Sequence, residues 1–115
     1  MGIKDLFTSF SALSEFGNLS RSILPIMTDK DVSIIEKRKT LCQLVDNLSE
    51  KAFNNKIVLG QIFKIINMKE EICKEYVDTE SQVNGILEWC PRLKEHKKEL
   101  SKEVEKARKS CGMKI

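Results

Sequence analysis

The sequence predicts an all-α protein, a four-helix bundle with up-down-up-down connections and a long third helix. Three observations predict it. Apolar residues recur at steps of three and four along most of the chain, the spacing that gathers them on one face of an α-helix. Only 5 Gly and 2 Pro occur among 115 residues, so the chain has few places to turn. No stretch alternates apolar and polar residues for long enough to make a strand. A chain of this length fits one domain, and residues 1–115 are expected to fold as a single helical unit.

The first helix rests on Ile3, Leu6, Phe7, Phe10, Leu13 and Phe16, interleaved with Ser9, Ser11, Ser14 and Glu15. Leu19, Ile23 and Leu24 prolong the apolar face as far as Pro25, whose ring disfavours helical geometry at the residue before it. The expected span is about 3–24. Thr28, three residues ahead of Asp31, resembles the start of a capping box, and Asp29 and Asp31 would stand where the helix dipole favours negative charge. A second helix is therefore expected over about 29–53, with a seam of Ile34, Leu41, Val45, Leu48 and Ala52 interrupted by Arg38 and widened by Ile35 and Cys42. Asn54 and Asn55, poor helix formers, end it.

The third apolar run holds its register longest. Leu59, Ile62, Ile66, Cys73, Tyr76, Val83, Leu87 and Cys90 keep the three-four alternation, broken only at Lys69 and Glu80, and Val58, Ile65, Ile72 and Ile86 flank it. Thr79 and Gln82 could cap a separate helix after Asp78, but the unbroken register favours one helix over about 56–89, some ~50 Å long. Cys90-Pro91 closes it. Leu93, Leu100, Val104, Ala107 and Cys111 then mark a fourth helix over about 92–111, followed by Gly112 in the position that suits a helix C-terminus.

The chain offers little for catalysis. Its one histidine, His96, falls in a densely charged segment without a neighbouring nucleophile pattern, and Glu70 and Glu71, being adjacent, point in different directions round a helix. Arg21, Arg38, Arg92 and Arg108 leave open an arginine donated to a partner's nucleotide, though no spacing singles one out. The four cysteines, Cys42, Cys73, Cys90 and Cys111, contain no CxxC pair and fall on or beside apolar stripes, which reads as reduced thiols in a cytoplasmic protein rather than a metal site. No apolar run approaches the ~20 residues that span a bilayer. Leu6 stands where a myristoylation signal needs Ser or Thr, and Cys111 is five residues from the end rather than four. A non-enzymatic protein without cofactor or metal is the expectation.

Binding is the remaining class. Residues 92–115 carry nine basic and four acidic groups, while the whole chain is +3. Lys94, Lys98, Lys102 and Lys106 recur every four residues and form one helical ridge, with Glu95, Glu99 and Glu103 on the ridge beside it. A nucleic-acid surface would need basic groups unopposed by acids and interleaved with aromatics, so another protein with an acidic surface is the expected partner. The plain alternative is a solvated face of weak ion pairs. Phe7, Phe10 and Phe16 form a second candidate, an amphipathic helix that docks on a partner or lies in a membrane interface if it does not simply pack in the core. The sequence thus points to a helical protein–protein interaction or oligomerisation module, with homodimerisation through the heptad register of the third helix allowed. A membrane-active bundle of pore-forming or cell-death type is the alternative.

Overall fold

A computed structural model describes the backbone of residues 3–66 and 78–112, with side chains placed for residues 10–66 and 78–112. The described residues are all-helical, with no strand among them. Among the described residues there are six α-helices, α1 (Ile3–Thr28), α2 (Ile34–Asn47), α3 (Glu50–Phe53), α4 (Lys56–Ile66), α5 (Thr79–Trp89) and α6 (Lys97–Ser110), with a 3-10 helix over Pro91–His96. The expected four-helix plan is thus replaced by more and shorter pieces. Two compact units divide the chain, Met1–Ile62 and Phe63–Ile115, and the division falls inside α4.

In the first unit α1 runs straight through Pro25 instead of ending at Leu24. Pro25 has no N–H for the Arg21 carbonyl, and the helix ends three residues later at Thr28. Thr28, expected to open the second helix, closes the first instead: its hydroxyl donates back to the Leu24 carbonyl at 2.8 Å. The connecting turn is built on the Asp29 carboxylate, which accepts from the Asp31 amide at 2.9 Å. Ser33 then caps α2, its hydroxyl accepting from the Glu36 amide at 3.2 Å. Ser33 and Glu36 have the same capping-box spacing as Thr28 and Asp31, so the sequence held two competing start signals five residues apart.

The expected helix over 29–53 is also interrupted. Leu48 adopts extended geometry (φ −69°, ψ 139°), and Ser49 starts α3 by accepting from the Ala52 amide. The Ser49 amide donates to Glu15 Oε2 at 2.6 Å, which ties α1 to the start of α3. Asn55, expected at a helix end, caps the next helix as well: its Oδ1 accepts from the amides of Ile57 and Val58. Helix α1 packs against α2 and α3. The buried residues of this unit include Ala12, Phe16, Leu41, Leu44, Val45, Leu48, Ala52, Phe53, Val58 and Ile62. Ile34 and Ile35 belong to the seam read from the sequence, yet both are exposed.

In the second unit the continuous helix expected over 56–89 is overturned. Asp78 is extended (φ −147°, ψ 171°) and its carboxylate accepts from the Ser81 amide at 2.7 Å, so α5 begins afresh at Thr79. Lys69, Ile72, Cys73 and Tyr76 of the predicted seam lie outside the described residues. Cys90 and Pro91 do end α5. The chain beyond winds as a 3-10 helix before relaxing into α6, so the α-helix expected from residue 92 starts at Lys97. Gly112 follows α6 with φ +74°, the left-handed geometry that favours glycine after a helix end. Helix α5 packs against both the 3-10 helix and α6, and Val83, Ile86, Leu87, Cys90, Leu93, Leu100 and Val104 are buried.

The reduced state expected for all four cysteines does not hold. Cys111, directly after α6, is disulfide-bonded, and the other half of that bond lies outside the described residues. Cys42 and Cys90 are thiols. Disulfides are uncommon in the cytosol, so reduced cysteines no longer support a cytoplasmic location. No helix among the described residues is long and apolar enough to cross a membrane.

Candidate functional site

Helix α6 sorts its residues by a four-residue repeat. Leu100, Val104 and Arg108 fall on the face turned inward, which leaves Lys98, Lys102 and Lys106 exposed on the far side. Lys94, the fourth member of the predicted ridge, is exposed but belongs to the 3-10 helix. Three residues per turn there against 3.6 in α6 rotate Lys94 out of strict register with the other three. The acidic neighbours make weak use of the lysines. Lys106 Nζ stands 3.6 Å from Glu103 Oε1, with both side chains well exposed, and a pair of that kind contributes about 0–1 kcal/mol.

Beside the ridge lies an open groove between the start of α5 and the first half of α6. One part is lined by Thr79, Lys97, Lys98, Ser101, Lys102 and Glu105. The adjoining part shares Thr79, Lys97 and Ser101 and is completed by Asp78, Glu80 and Val83. Two of the predicted lysines, Lys98 and Lys102, therefore border a concave surface. The Asp78 carboxyl at its edge is held below the usual carboxylate range, first by the Ser81 backbone amide, then by the Ser81 hydroxyl, with the Arg108 charge adding a little.

Behind the groove is a polar contact that periodicity concealed. Arg108 is 1% exposed, and its Nη1 donates to Oε1 of the equally buried Gln82 at 3.1 Å. In the competing reading, with the helix cut after Asp78, Gln82 formed a capping box with Thr79. Asp78 takes that role and leaves Gln82, one turn in, to face the core. The signal available in the sequence was the four-residue step from Leu100 through Val104 to Arg108, which runs an arginine into an apolar stripe.

The phenylalanine candidates separate. Phe16 is buried in the first unit, where α1 packs on α2 and α3. Phe10 is 66% exposed, and the Phe7 side chain lies outside the described residues. His96 is half-buried at the end of the 3-10 helix. Among the described residues no three His, Cys, Asp or Glu side chains gather closely enough to hold a metal ion. Comparison with models of protein families, with characterised proteins and with solved structures finds no match to this chain.

Proposed function

We propose that the chain is a helical protein–protein interaction module that receives an acidic segment of a partner along the lysine side of α6. The observation that carries this reading is the position of Lys98 and Lys102 at the rim of the groove, with Lys94 and Lys106 exposed on either side. Long-range attraction from such a row speeds encounter and fixes register, while the stems of the lysines offer apolar contact along the groove. The acids Asp78 and Glu80 on the α5 side of the groove, with Glu105 on α6, would set which way an acidic segment lies. With Phe16 in the core, the membrane reading has lost one of its three residues.

The test is a comparison of wild type with a variant carrying Lys94→Glu, Lys98→Glu, Lys102→Glu and Lys106→Glu, each used to capture partners from native extract. Loss of the captured protein, with unchanged circular dichroism and melting, is the expected result, and wild-type capture should weaken as salt rises. Capture that survives the four reversals refutes the proposal. Loss of capture on Phe10→Ser, with the reversals silent, moves the binding surface to α1.

A further inference from the structure

The groove between α5 and α6 is lined by as many acids as bases. Lys97, Lys98 and Lys102 stand on the α6 side, Asp78 and Glu80 on the α5 side, and Glu105 on α6 one turn past Ser101. All but Glu105 are exposed. Three charges of each sign give a uniformly acidic segment little net attraction inside the groove, because what it gains along α6 it loses against α5. The signs are nevertheless sorted by wall, cations from Lys97 to Lys102 on α6 and anions at the start of α5. A sorted groove discriminates by pattern. The segment it favours carries acids on one side and bases on the other, and a wrong arrangement is rejected by like charges.

The dimensions bound that pattern. Lys98 and Lys102 are four residues apart, about 6 Å along α6 at 1.5 Å per residue, and the cationic stretch ends before Glu105. This length matches one pair of carboxylates four residues apart on a second helix, which share a ridge at the same spacing. The neighbouring ridge of that helix can turn a basic group to the α5 wall at the same time. An extended segment fits less well, since both walls are helical and offer no sheet edge for its backbone to pair with, whereas a helix satisfies its own amides and carbonyls. Of the two acids on α5, Asp78 is tied to the Ser81 amide at 2.7 Å. That leaves Glu80, exposed in the first turn, as the acid that selects.

We propose that Glu80 is the specificity-determining residue of this groove, and that the segment received there is a helix with an acidic pair facing Lys98 and Lys102 and a basic residue facing Glu80. The proposal deepens the reading of the groove as a partner-binding surface and rests on it.

Two alanine-based helical peptides of equal composition and net charge serve as probes. One carries a glutamate pair four residues apart on one ridge and a lysine pair on the next; the other carries one glutamate and one lysine on each ridge. Binding to the full chain is read by fluorescence anisotropy at 0.15 M salt, where a screening length of ~8 Å leaves mainly the contacts inside the groove. The sorted peptide should bind wild type about fivefold tighter or more. Glu80→Lys should abolish that preference and Glu80→Gln should reduce it, with circular dichroism unchanged in both variants. Lys98→Glu with Lys102→Glu should weaken the sorted peptide as well. Equal binding of the two peptides, or a preference that Glu80→Lys leaves as it was, overturns the proposal, while sensitivity to the lysine reversals keeps the docking surface itself. Reversals that weaken neither peptide, or no binding of either at millimolar concentration, overturn the docking surface and the proposal together.

Discussion

Removing Gln82 takes a hydrogen-bond acceptor from a guanidinium that has almost no access to water. Arg108 is 1% exposed and Gln82 3%, and the Nη1 to Oε1 distance of 3.1 Å is that of a formed bond. A hydrogen bond to a charged group is worth about 1.5–3 kcal/mol, and its loss in a buried site brings the cost of a charge left under-satisfied. Gln82→Ala should therefore destabilise by about 2–3 kcal/mol, a large share of the roughly 6–17 kcal/mol that a chain of 115 residues holds. Arg108→Met removes the charge along with the bond and fills similar space with a flexible apolar chain, so it should cost less than its loss of a contact suggests. The two changes are then non-additive. Gln82→Ala combined with Arg108→Met should lie closer to wild type than the sum of the single variants by about 1 kcal/mol or more. Urea unfolding followed by circular dichroism, with the denaturant slope unchanged between variants, supplies the four free energies of the cycle. A cost under about 0.5 kcal/mol for Gln82→Ala, or strict additivity in the cycle, would refute the view that this contact carries a buried charge.

Two further outcomes follow from the caps. Ser33→Ala should destabilise by about 0.5–2 kcal/mol, whereas Thr28→Ala, at a helix end already held by backbone bonds, should cost well under 1 kcal/mol; the reverse order, read by the same unfolding experiment, would restore the helix start at Thr28. Because the Asp78 carboxyl titrates lower in the folded state than in the unfolded one, its contribution is complete above the ordinary carboxylate range and disappears as pH falls through the folded value. Asp78→Asn keeps a capping oxygen without the charge, so it should melt below wild type at neutral pH and converge on it in acid; a gap that persists in acid would mean that the charge is not the cause.

The helical class was legible because a three-four repeat of apolar residues has no other economical explanation, and the buried residues Leu41, Val45, Leu48, Ile62, Val83, Leu87, Leu100 and Val104 all stand on the predicted seams. The lengths of the helices were less legible. Register can persist across a break when the residues at the break happen to fit both arrangements, as at Leu48–Ser49 and at Asp78. There the deciding interaction was a side-chain cap, with a reach of only three residues. Ile34 and Ile35 show a different limit. Periodicity says which residues share a face, but whether anything lies against that face depends on elements remote in sequence, and both isoleucines are exposed. The lysines of the candidate site were found because surface ridges follow from helix geometry alone, whereas the groove beside Lys98 and Lys102 needed α5 to be placed against α6.

The disulfide at Cys111 bears on more than the redox state of the chain. Helices melt from their ends, and the last turn of an isolated helix spends much of its time open. Arg108 sits in that last turn, three residues before Cys111, and a charged guanidinium gains hydration whenever the turn unwinds. Left to itself, this end of α6 would have a strong reason to fray, since water competes for the one residue whose burial is least favoured. A covalent bond immediately after the helix takes away the freedom that fraying needs. The crosslink thereby acts as a latch on an ion, and under reducing conditions amide exchange should rise first over Ala107–Ser110 rather than evenly along α6.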